Sequence, residues 1–199
     1  MTFATDHSWY DDLRQEYTPE VVRVLLIGES PPDPLDADRR FFYNSILTRY
    51  DNLFRGVALA AYGMLKDDLN RLSKPTVLRR LQSDGFLMID AVEYPVNHLG
   101  TSTRRAAIRD SAISLVERVR HHEPAEGVFI CSSPVFDAVT PTLRANGISV
   151  LNTAAAPFPL GNTRQRFVEV WRESGVSPNF NTSVDRAHQS SAPRRHPWT

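Results

Sequence analysis

Two carboxylates in this chain stand where an apolar run stops, and acids in that position can do chemistry. Glu29 follows the run "VVRVLLIG" at once and opens the turn "GESPP". Asp90 falls near the end of the run in "GFLMIDAV". Gly28 permits a sharp turn, and Ser30-Pro31-Pro32 stiffens the loop and removes donors. A carboxylate held there positions or activates a water, or supports a cationic transition state. The structural alternative is that Glu29 accepts hydrogen bonds from loop N–H groups and locks the turn. Asp90 is costly at a buried strand end unless it is paired. It either reads the edge of a ligand or caps a neighbouring loop. "GESPP" is not a phosphate loop, because the Gly-rich spacing and the following Lys-Ser/Thr are missing.

Three further segments belong beside these acids. "DRRFFYN" sets Phe41, Phe42 and Tyr43 after a charged loop. An aromatic lining a pocket suits a planar ligand, since stacking on a base contributes roughly 1–3 kcal/mol. Packing that loop onto the core is the competing use. "EYPVNH" carries Asn97 and His98 into the loop beyond Asp90, where His98 reads first as a loop hydrogen-bonder. In "AAAPFPLGNTRQRF" small residues allow close backbone approach, and Pro157 and Pro159 stiffen the turn around Phe158. The helix start at Gly161, Asn162 and Thr163 can meet an anion, with Arg164 and Arg166 adding positive charge. An ordinary capped helix with solvated arginines is the plain alternative.

Positioning these groups requires strands that end at one rim. Four short apolar runs read as buried parallel strands: 21–28, 85–92, 127–133 and 147–153. Helical spacing lies between them. Residues 52–66 and 102–122 carry apolar faces, with Ser102 or Thr103 as a cap for the second. A short helix is expected over 73–85. Residues 134–147 start with Pro and end in Asn-Gly, and Pro141 inside them predicts a break or kink. Residues 162–175 form the last helix. Strands alternating with helices predict an α/β fold: a three-layer α/β/α sandwich around a largely parallel four-stranded sheet. Ligands in such sheets sit outside the carboxyl ends of the strands, which is where "GESPP", "DAVEYPVNH" and "NTAAAPFPLGN" fall.

Composition narrows the classes. The chain has 199 residues, 41% hydrophobic and 23% charged, which fits one globular domain, expected over 1–176. Lys+Arg and Asp+Glu balance at 23 each, so the basic excess common in nucleic-acid binders is absent. The single cysteine, Cys131, excludes an internal disulfide and an all-cysteine cluster. A cytoplasmic location is expected, since the N-terminal residues are too polar for a secretory signal and no apolar run spans a membrane. No metal-ligand set or cofactor is implied. Residues 177–199 are polar with scattered prolines and read as a mobile extension. The sharper reading makes Arg194, Arg195 and His196 a basic tether for nucleic acid.

Together these pieces resemble the uracil-DNA glycosylase superfamily, over roughly residues 21–171 by element order. "GESPP" is similar to the family's first motif, a Gly-acid/polar-x-Pro loop after a strand. Phe42 matches the stacking phenylalanine best, with Phe41 its neighbour. Asp90 stands where the family places a base-reading Asn, and "APFPLGN" precedes the last helix as the family's final motif does. The resemblance implies base flipping into a pocket at the strand ends and N-glycosidic cleavage through an oxocarbenium-like state. Glu29 would position the water or stabilise that cation. Gly28, Ser30, Phe41, Phe42 and Asp90 would hold the base. Asn97, Pro157, Phe158, Gly161, Asn162 and Arg164 would press on DNA or support the loops.

The chain departs from that pattern at two functional positions. The family's final motif usually opens with His before Pro, and here Ala156 precedes Pro157. Loss of such a donor can cost on the order of 10²–10³ in rate. Asp90 replaces an amide by a group that, when ionised, only accepts. A carboxylate suits an edge with donors, such as guanine N1–H with its amine, or hypoxanthine, and a protonated Asp90 could still serve uracil. Iron–sulphur members need four cysteines, so that branch is excluded. The expectation is a divergent glycosylase-like protein acting on a damaged or deaminated base in DNA. The alternative is a catalytically inactive relative that binds a nucleobase, nucleotide or nucleic acid. A hydrolase for another small substrate, using Glu29 or His98, is a third class.

Overall fold

The computed structural model describes residues 8–33 and 41–178. The Asp- and Arg-rich segment before Phe41 and nearly all of the 177–199 extension, with Arg194, Arg195 and His196, lie outside the described residues.

The apolar runs form a parallel sheet of three strands: β1 (Val24–Gly28), β2 (Phe86–Asp90) and β3 (Gly127–Ile130), in the order β2-β1-β3. All five residues of β1 are buried, which is why its sequence shows no polar alternation. Its register pairs Val24 with Phe86 and Gly28 with Asp90 on one side, and Val24 with Gly127 on the other.

The run at 147–153 does not become a fourth strand. It meets β3 at one parallel bridge, Val128 with Val150. Beyond that bridge the buried side chain of Asn152 replaces backbone pairing. Ile130 N–H donates to Asn152 Oδ1 at 3.1 Å, and Asn152 Nδ2 donates to the Ile130 carbonyl at 3.3 Å. The amide satisfies the edge of β3 without extending the ladder.

The other free edge, along β2, is closed by side chains too. Tyr43 Oη accepts from Met88 N–H at 2.6 Å and donates to the Met88 carbonyl at 3.2 Å. Arg118 donates to the carbonyls of Asp90 and Ala91, each at 2.6 Å.

Helices fill the crossovers. α1 (Ser8–Glu16) precedes β1, and its amphipathic spacing brings Tyr10 and Tyr17 into the core. Between β1 and β2 lie α2 (Asn52–Tyr62), α3 (Lys66–Arg71) and α4 (Lys74–Ser83). The expected helix at 52–66 stops earlier, at the left-handed Gly63. Ser73 caps α4 by accepting from Thr76 N–H at 3.3 Å.

The expected helix at 102–122 divides at Ser111 into α5 (Thr101–Asp110) and α6 (Ala112–His122). Neither Ser102 nor Thr103 caps α5, which begins one residue earlier behind Gly100. α7 (Ser133–Ala145) runs unbroken through Pro141, contrary to the expected break. Pro141 and Asp137, whose carbonyl loses a donor, are both exposed. A 3₁₀ turn (Gly161–Thr163) leads into α8 (Arg164–Glu173).

The core joins the three strands to Phe54, Val57, Leu78, Ile108, Leu115, Phe167 and Trp171, all essentially buried. A buried ion pair crosses it: Lys74 Nζ lies 3.3 Å from Asp51 Oδ1 and donates to the Phe41 carbonyl at 3.2 Å. Among the described residues no helix is long and apolar enough to cross a membrane.

Candidate ligand-binding mouth

The strand order turns about β1: the chain moves to β2 on one side and then across to β3 on the other. The switch point therefore lies between the carboxyl ends of β1 and β3. Glu29 stands there. Its carboxylate accepts from Arg104 of α5 and, at 3.5 Å, from Ser132 Oγ at the start of α7. Its backbone carbonyl accepts from Val92 N–H at 2.9 Å. Glu29 is thus held by two side chains from other elements, not by N–H groups of its own loop, and Arg104 covers it.

Asp90 ends the adjacent strand in a different environment. Its side chain is 13% exposed, and its carboxylate accepts no hydrogen bond from a described residue. Arg14 Nη2 approaches Asp90 Oδ2 only to 3.9 Å. Arg118 spends its two Nη groups on backbone carbonyls. Burial pushes the Asp90 carboxyl up to about 6, with Arg14 and Arg118 opposing and Glu29 reinforcing the shift.

This carboxyl borders a cavity of about 230 Å³ whose walls include Tyr10, Arg14, Pro31, Tyr94 and Arg118. Asp11 and Glu93 stand at its exposed margin. The volume is below the roughly 300–1,000 Å³ of sites for drug-sized ligands, so it suits a fragment such as one planar ring system. Tyr94 is half exposed there, and Tyr10 is packed edge-on against Trp9 and Phe41.

The aromatic cluster does not line this cavity. Phe41, Phe42 and Tyr43 are all buried. Phe42 meets Tyr43 and Phe54 edge to face, with centroids at 5.1 and 5.8 Å. Phe41 packs on Trp9, Tyr10 and Tyr43. The exposed ring beside Asp90 is Tyr94, from the loop that follows β2.

The remaining residues sit around the rim. Ser30 Oγ accepts weakly from Val96 N–H, at 3.5 Å, tying the first loop to the second. Asn97 and His98 are exposed. Ala156 is fully buried, and its carbonyl accepts from Ser133 Oγ at 3.2 Å. Pro159 packs so closely on α2 that a Cβ at Gly56 would lie 2.4 Å from its ring. Phe158 is exposed beside Pro157, as are Gly161 and Asn162. Thr163 Oγ1 ties the turn to the Phe158 carbonyl at 2.6 Å, and Arg164 reaches Asn52 Oδ1 at 3.5 Å.

Sequence reasoning brought Glu29 and Asp90 to neighbouring strand ends but missed Arg14, Tyr94, Arg104, Arg118 and Ser132. Tyr10, Leu13 and Tyr17, spaced three and four apart, were the available signal for α1 and hence for Arg14. Among the described residues no group of three or more His, Cys, Asp or Glu could hold a metal ion. No family model, curated protein or solved structure matches the chain.

Proposed function

We propose that the protein binds a single nucleobase, free or within a nucleoside or nucleotide, at the carboxyl ends of its strands, with Asp90 reading the base edge. One observation carries this: Asp90 presents a recessed carboxylate, without a hydrogen bond to a described residue, to a cavity of fragment size. A recessed acid left in that state is costly to ionise. A ligand with two adjacent N–H donors removes the cost, and the guanine edge supplies them. Tyr94 offers the adjoining ring face.

The test is calorimetric titration with guanine-, hypoxanthine-, xanthine- and uracil-containing nucleosides. Binding that favours the two-donor edge and is lost in Asp90→Ala is the expected result. No binding of any nucleoside overturns the reading.

Cleavage of the N-glycosidic bond in DNA by a divergent glycosylase is a second reading, favoured by Glu29 at the next strand end. Two features weigh against it. Glu29 is covered by Arg104, and the residue before Pro157 is the buried Ala156, which has no side-chain donor for a departing base. An oligonucleotide panel carrying uracil, hypoxanthine and xanthine tests it. Absence of abasic product from every strand removes the glycosylase and leaves the binder.

A further inference from the structure

A second cavity, of about 340 Å³, opens beside the first and shares Asp11, Arg14, Glu93 and Arg118 with it. Thr18 and His122 line the part that is its own. Arg118 and His122 stand one turn apart on α6, and Arg14 reaches the same cavity from α1. Two guanidinium groups beside an imidazole make protonation of that ring costly, and Arg118 at i−4 adds like charge along the helix. Burial, then His121, Arg14 and Arg118, hold the His122 pKa below its usual value.

The acids nearby compensate incompletely. Asp11 and Glu93 are 69% and 64% exposed, so solvent screens them. Asp90, the recessed acid, lines the first cavity and not the second, and burial pushes its carboxyl up to about 6. Arg14 Nη1 donates to the exposed Asp11 Oδ1 at 2.8 Å, Arg118 gives its Nη groups to two backbone carbonyls, and both Nε groups are buried without an acceptor.

We propose that this second cavity takes the phosphate of a nucleoside monophosphate whose base lies against Asp90 and Tyr94. The base end rests on the function proposed above; the phosphate end rests on Arg14, Arg118 and His122 alone. A phosphomonoester is a compact anion that forked guanidinium groups bind strongly. Arg14 and Arg118 are recessed, with side chains 21% and 23% exposed. That depth suits a terminal phosphate better than a continuous backbone, which needs an open track.

Two measurements on the full chain test the proposal. In calorimetry, guanosine 5′-monophosphate binds at least about tenfold more tightly than guanosine, as charge-assisted hydrogen bonds require. Arg14→Gln removes most of that difference, read as the ratio of the two affinities within the same variant. In proton NMR, with His122→Gln identifying the resonance, inorganic phosphate raises the His122 pKa, because a bound anion favours the charged ring. Equal affinity for nucleoside and monophosphate, with an unmoved His122, overturns this inference and leaves the base reading intact. A His122 shift with phosphate but no nucleoside binding overturns the base reading and leaves the anion cavity. An oligonucleotide without terminal phosphate that shifts His122 as far as the mononucleotide overturns the monoester assignment.

Discussion

Gly28 and Asp90 are register partners across β1 and β2, and a Cβ on residue 28 would lie 2.6 Å from Asp90 Oδ1. The missing side chain on β1 is what lets the carboxylate settle at the strand end. Gly28→Ala forces a shift at a buried contact and costs about 1–3 kcal/mol in urea unfolding. It also displaces the carboxylate, so nucleoside affinity falls. A Gly28→Ala protein with unchanged stability and affinity would show that Asp90 works from another rotamer.

Asp90 gives stability a pH dependence of definite sign. The unfolded carboxyl titrates near 3.8, and in the folded protein burial raises it to about 6. Between those values the native state holds more protons than the unfolded state, so stability falls as pH rises. The contribution is fully present below about pH 4 and lost through pH 6. Over that window the loss is on the order of 2–3 kcal/mol. Asp90→Asn lacks it, so the difference between wild type and Asp90→Asn in chemical denaturation moves against wild type from pH 4 to 6. A flat difference would mean that the carboxyl is well solvated.

How much of this could be read in advance follows from which interactions are local. Apolar runs without alternation marked β1, β2 and β3, because a strand buried on both faces has no polar side. The same rule over-read 147–153. Whether that run extends the sheet depends on Asn152 bonding Ile130 across 22 residues, a contact that composition does not carry. Glu29 and Asp90 were legible because a charge at the end of an apolar run stands out. Arg14 and Arg118 were not, since arginines on polar helices are the commonest solvated residues. The place of Phe42 after a charged loop fits a ligand platform or core packing alike, and it packs in the core, because sequence order does not say which of three consecutive rings faces inward.

Tyr43 gives a test of the edge of β2. Its hydroxyl both accepts from and donates to Met88. Tyr43→Phe leaves a buried N–H and carbonyl without partners, a cost of about 1–3 kcal/mol in thermal or urea unfolding. Hydrogen exchange locates the effect: the Met88 amide loses protection more than the amides of β1 do. Equal protection at Met88 in both proteins would show that water replaces the hydroxyl.

Glu29→Gln separates recognition from chemistry. Arg104 and Ser132 hold the Glu29 carboxylate, whereas the base is assigned to Asp90 and Tyr94. Nucleoside affinity therefore stays at the wild-type value in Glu29→Gln. A large loss of affinity would move the base from the β2 cavity to the switch point between β1 and β3.

Tyr94 and Phe42 are the two candidate rings for the face of the base, and one pair of substitutions decides between them. Tyr94 is 51% exposed beside Asp90, so Tyr94→Ala removes little core contact and leaves stability nearly unchanged. Its effect falls on binding, where loss of a stacked ring costs about 1–3 kcal/mol of nucleoside affinity. Phe42 is 9% exposed and wedged between Tyr43 and Phe54. Phe42→Ala opens a cavity and costs about 3–5 kcal/mol of stability. At a temperature where that variant is still folded, verified by near-ultraviolet circular dichroism, it binds nucleosides as wild type does. If Phe42→Ala abolishes binding in the folded protein and Tyr94→Ala does not, the ring that covers the base is Phe42, and the ligand enters from the α2 side of the sheet.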